Sequence, residues 1–208
     1  YFLVFSLFLL LAVSSFAQTK ESAELRGVNL DYILKTRVIN PQPIPHVPEM
    51  AELYSNGSAV NAPGEGPNGS DGSVLQSSLG LTTYGAGWQQ TAGNSVADNV
   101  EVLGATWTVD SVKIYGYQTG STTTSTFTGL YLKVYNGDPR TGGTVIWGDL
   151  TTNIMTTTYW TGAYRYQDTA PGTTRPIMAL VGATAGLVLT PGTYYFEFTS
   201  TGSLTSGP

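Results

Sequence analysis

Tyrosine is the residue type through which this sequence could do chemistry. Thirteen of the 208 residues are Tyr, and Tyr115, Tyr117, Tyr131 and Tyr135 fall at strand spacing within residues 107–149. A phenol on a sheet surface offers two interactions at once: a ring face that stacks on the apolar face of a sugar, and a hydroxyl that bonds to sugar hydroxyls. In GLYLKVY (129–135), Leu130, Leu132 and Val134 share one parity, while Tyr131 and Tyr135 flank Lys133 on the other. In 107–117, Val112 and Ile114 oppose Lys113, Tyr115 and Tyr117. Alternation places the two sets on opposite faces. If both strands lie in one sheet, the expectation is an outward platform of four tyrosines over an aliphatic core. A second reading needs no ligand, because Tyr packs well on any half-wet strand.

Two tryptophans extend the candidate binding set. Trp88 in TTYGAGWQQ and Trp160 in TTTYWTGAY have Gly, Gln and Thr neighbours, which predicts partial exposure in loops. There they would clamp a ligand or cap the end of the fold. Trp107 and Trp147 stand beside aliphatic residues and are expected in the core.

Catalytic groupings are poor by comparison. The single His, His46, sits among prolines, which removes a Ser or Cys triad and a His-based zinc site from the rest of the chain. Asp149, Asp168 and Glu197 could supply a glycosidase pair, yet the first two read as turn caps and Glu197 as an outward strand position between Phe196 and Phe198. The expectation is a non-enzyme with no required cofactor. Calcium is the one cation such a module would hold, and Asp98 is the best single ligand, although no loop has the spacing of a dedicated calcium site.

The elements that must position these residues are strands. From 74 onward, runs at 74–83, 95–102, 107–117, 129–135, 144–147, 159–166, 177–181, 187–189 and 193–199 are separated by Gly, Pro and Asn turns, with no amphipathic helix between them. That pattern predicts an all-β fold: an antiparallel two-sheet β-sandwich, jelly-roll-like, with an immunoglobulin-like wind as the alternative.

Ahead of it, residues 1–13 form an apolar run ending in Ser14, Ser15, Phe16 and Ala17. That reads as a secretory signal peptide over residues 1–17, truncated at its start. A run of about 13 residues is short for a membrane span of roughly 20. Residues 18–72 read as a Pro-rich extended segment and flexible linker, and 73–208 as the sandwich, which stops without a closing element. Charged residues make up 11% of the chain, against about 25% typically. A net charge of −5, with Lys113, Lys133, Arg140, Arg165 and Arg175 scattered, argues against a nucleic-acid partner. Cys is absent, so an exported chain must rely on its core.

The stretches YQTGSTTTSTFTG and VIWGDLTTN, with YWTGAYRY, RPIMAL and LTPGTYYFEFTSTG around them, resemble a β-sandwich module of secreted proteins from Bacteroidetes-type and other environmental bacteria. The resemblance covers roughly residues 95–208. Relatives tend to read ADDF in their first strand, where this chain has Asp98-Asn99-Val100. They often continue into a sorting tail of the type IX secretion system. The resemblance implies an extracellular, non-catalytic module and carries over no catalytic residue. Taken together, the expectation is a secreted binding or adhesion module at the cell surface, with a polysaccharide or cell-surface glycan as partner. The alternatives are a structural spacer of a larger exported protein and an accessory fragment of a secreted hydrolase.

Overall fold

The computed structural model describes residues 52–207; the expected signal segment, the Pro-rich run and His46 lie outside the described residues. Eight strands follow in order: β1 Asp71–Leu75, β2 Val96–Val102, β3 Trp107–Gly116, β4 Phe127–Tyr135, β5 Val145–Asp149, β6 Met155–Gln167, β7 Pro176–Leu189 and β8 Gly192–Gly202. They form two four-stranded sheets, β1-β6-β7-β3 and β2-β8-β4-β5. Among the described residues there is no α-helix, only three single 3-10 turns. The protein is an all-β sandwich.

The wind is nested. β2 pairs with β8 in one sheet and β3 with β7 in the other, and the two inner strands β4 and β6 then join β8 and β7. That is the jelly-roll-like of the two expected topologies. β1 lies parallel to β6 at the sheet edge. Its free side is covered by the segment expected as a linker: Gly72 N–H donates to Ala62 O (2.8 Å), and Val74 N–H donates to the Asn61 side-chain oxygen (2.7 Å). Pairing of that kind blunts an exposed strand edge.

Two strand boundaries differ from expectation for physical reasons. The run 74–83 stops at Leu75, because the Asp168 carboxylate accepts hydrogen bonds from the backbone and hydroxyls of Ser77 and Ser78 and holds a 3-10 turn there. The runs 177–181 and 187–189 are one strand. β7 is central: β6 pairs with it as far as Gly182 and β3 from Met178 to Leu189 across a register shift, and that pairing carries it through Gly182. A Cβ at Gly182 would lie 2.7 Å from Ile154 Cδ1 and 3.1 Å from Leu130 Cδ2, so this glycine admits a side chain from the β5–β6 connection and one from β4 in the opposite layer.

Between the sheets, Leu132, Val134, Leu187, Leu189 and Tyr194 form one buried cluster, and Trp88, Phe127, Leu130, Met178 and Leu180 a second. Full burial of each aliphatic side chain contributes about 1.5–3 kcal/mol. The inward parity read from Leu130, Leu132 and Val134 holds. The assumption that β3 and β4 share a sheet does not. Residues 117–126 arch from one layer to the other, so Tyr115 and Tyr117 belong to one outer face, and Tyr131 and Tyr135 to the opposite one. The single four-tyrosine platform is therefore overturned.

Candidate functional site

On the outer face of the β3-β7-β6 sheet, register places Tyr115 beside Ala179 and Ala179 beside Tyr159. Both rings are 46% exposed, and Ala179 between them is fully covered. Two strand spacings of roughly 4.8 Å put the rings about 10 Å apart. The result is a pair of open aromatic faces over a small apolar floor. Neither hydroxyl has a hydrogen-bond partner among the described residues. Lys113, Val181 and Thr157 form the next row along the same face.

From Tyr115 a groove of about 430 Å³ runs towards Tyr117, Ile177, Arg165 and Tyr84, under the loop Gly85 to Gly87. Two devices hold that loop. Arg165 donates from Nε to Tyr84 O (3.0 Å) and from Nη1 to Ser73 O (3.3 Å), tying the loop to β6 and β1. Trp88 anchors its other end, with only 5% of its surface exposed. Its indole meets Phe198 edge-on at 5.3 Å, and its carbonyl accepts from Thr199 Oγ1 (2.8 Å). Gly116 makes room for it, since a Cβ there would sit 2.5 Å from the indole. The guanidinium of Arg175 lies over the Tyr84 ring, 4.0 Å from its centre. Burial pushes the Tyr117 phenol above its ordinary pKa, and the charges of Arg175 and Arg165 pull it partly back.

Trp88 is thus a core residue, not a loop clamp. The space for its indole is made by Gly116 on β3, remote in sequence from the neighbours that suggested exposure. Trp160 has the partial exposure expected of it but stands on strand β6, not in a loop. It packs against the second core cluster, lies 5.4 Å from the Tyr164 ring and donates from Nε1 to Ala163 O (3.0 Å). Its neighbour Tyr159 takes the outward place.

The opposite outer face is closed upon itself. Tyr131, Lys133 and Tyr135 on β4 stand opposite Thr199, Glu197 and Tyr195 on β8. Tyr135 donates to Glu197 Oε2 (2.5 Å), Ser95 to Oε1 (2.7 Å), and Lys133 Nζ lies 3.7 Å from Oε2. Tyr135 is only 9% exposed, so it is no platform residue; Tyr131 is half-buried, with its hydroxyl 3.4 Å from Thr201 Oγ1. Burial would raise the Glu197 carboxyl, but the Ser95 and Tyr135 hydroxyls and the Lys133 charge hold it below its ordinary value.

The remaining carboxylates are occupied by turns. Asp149 accepts from the backbone and hydroxyls of Thr151 and Thr152, which hold it well below the usual carboxylate range. Hydrogen bonds from Ser77 and Ser78 bring Asp168 to about 2. Asp98 accepts from Asn56 Nδ2 (3.0 Å) and from the Asn99 backbone N–H (2.9 Å). Among the described residues no group of three or more His, Asp and Glu gathers around it or elsewhere. No described helix is long and apolar enough to cross a membrane.

Sequence reasoning missed Tyr84, Tyr159, Arg165 and Arg175. No local signal marks them: β6 has no aliphatic parity, and Arg165 meets Tyr84 across 81 residues of sequence. No family model, no curated protein and no solved structure matches this chain.

Proposed function

We propose that the protein is a secreted, non-catalytic module that binds polysaccharide at the cell surface or outside the cell. The observation that carries this reading is the Tyr115, Ala179, Tyr159 row: two exposed rings, free hydroxyls and a small covered floor, continued by a groove. Rings about two strand spacings apart match two sugar faces along one extended chain. Tyrosine suits such a ligand because its ring excludes water while its hydroxyl replaces the hydrogen bonds the sugar loses. Export rests on the apolar leader with its small residues before Gln18.

Affinity electrophoresis of the full chain through gels containing single polysaccharides tests the proposal. Retardation by at least one polymer, abolished by Tyr115→Ala with Tyr159→Ala, is the expected result. Passage unretarded through every polymer would leave the chain as a structural spacer.

A further inference from the structure

Of the five Lys and Arg side chains in the described residues, Arg165 lines the groove and Arg175 lies beside it over Tyr84, both without an acidic partner among the described residues. Lys133 pairs with Glu197 and Arg140 with Asp138, whereas no described carboxylate lies within 4 Å of Arg165 or Arg175. The two arginines are adjacent in space, with the Arg165 backbone N–H donating to the Arg175 backbone carbonyl (2.8 Å). Their roles differ. Arg165 spends its donors on the carbonyls of Tyr84, Ser73 and Thr83, so it contributes charge and holds the loop. The Arg175 guanidinium carbon lies over the Tyr84 ring, and its side chain makes no hydrogen bond to any described residue. A guanidinium held over a ring and not bonded within the protein offers N–H donors to a carboxylate in a forked pair. In a chain of net charge −5, a patch of two uncompensated arginines beside open tyrosine rings is complementary to an anionic ligand with a stackable face.

We infer that the groove selects an acidic polysaccharide, with Tyr115 and Tyr159 stacking on alternate sugar faces and Arg175 taking a uronate carboxylate beside Tyr84. The inference rests on the carbohydrate reading above and names its ligand class. Arg165 is a positioning residue, and the charge it adds lowers the cost of bringing a carboxylate into the groove.

Affinity electrophoresis with polygalacturonate and with alginate, each run beside its carboxyl-reduced neutral form, tests it on the full chain. The expected result is at least tenfold tighter binding to an acidic polymer than to its neutral form, weakened by added salt. Arg175→Gln is expected to weaken binding to the acidic polymer about tenfold and so remove that preference, with Arg175→Lys intermediate because it keeps charge but not the fork. Should Arg175→Gln fail to fold, the acidic and neutral polymers compared on the unaltered chain still decide. Equal affinity for the acidic and neutral forms would overturn the acidic preference and leave polysaccharide binding standing. Binding to inorganic polyphosphate as tight as to the acidic glycans would overturn it too, since charge alone would then suffice. Binding to none of these, nor to xylan or β-glucan, would overturn both readings.

Discussion

On the β4·β8 face, Tyr135 looks across at Tyr195 and its hydroxyl reaches Glu197, which also holds Ser95 and Lys133; on the β3-β7-β6 face, Tyr115 and Tyr159 look across at Ala179. Both faces carry tyrosine and lysine at alternating positions, so their sequence patterns are alike. What separates them is the residue opposite. A carboxylate beside a phenol and an ammonium satisfies all three internally, and such a face contributes to stability with little left for a ligand. A small apolar residue between two phenols leaves their rings wet and their hydroxyls unpartnered. An aromatic face becomes a binding candidate when its neighbours decline to satisfy it.

The comparison breaks most severely at its root. Trp88→Ala removes the indole under Gly116 and is expected to cost about 3–5 kcal/mol in chemical denaturation. A loss below about 1 kcal/mol would show that the groove loop is not anchored through the core. Next in size, Tyr115→Ala with Tyr159→Ala should weaken polysaccharide binding about a hundredfold, or roughly 2.7 kcal/mol. Stability should stay within about 0.5 kcal/mol for these exposed sites. The opposite outcome, a lower melting point with binding intact, would make this face structural.

Tyr135→Phe sharpens the contrast from the other side. Loss of a hydrogen bond to a charged acceptor should destabilise the protein by about 1.5 kcal/mol in urea, with affinity unchanged. Reduced affinity in that variant would return the β4·β8 face to candidacy.

Smallest of all is a pH effect in the segment leading to the groove loop. The folded Asp168 carboxyl titrates at about 2, below the ordinary value of 3.8. A depressed folded pKa means that its contribution is present above about 4 and is lost as pH falls through about 2. The Ser77 and Ser78 amide resonances should shift across that window in NMR spectra, and Asp168→Asn should abolish the dependence while slightly loosening the turn. Amide shifts that persist in Asp168→Asn would assign the titration to another group.

Much of this was legible in one dimension. The β4 alternation placed Leu130, Leu132 and Val134 inside, and the turn-capping roles of Asp149 and Asp168 followed from their Gly and Thr neighbours. β6 was harder: MTTTYWTGAYRYQ has no aliphatic parity, so nothing in it says whether Tyr159 or Trp160 faces out. Its pairing with β7 decides, by setting Trp160 beside Met178 and Tyr159 beside Ala179. Arg165 and Tyr84 meet across 81 residues of sequence, a distance no local pattern reports.

The sequence by itself determined that the chain is all-β and which parity of β3 and β4 turns inward, because side-chain alternation and turn residues are properties of neighbours along the chain. The tertiary structure alone decided which strands share a sheet, and therefore which tyrosines share a face. Strand partners are chosen by non-local hydrogen bonding and core packing, and the arch at 117–126 carries β4 into the opposite layer, where the same alternation meets different neighbours.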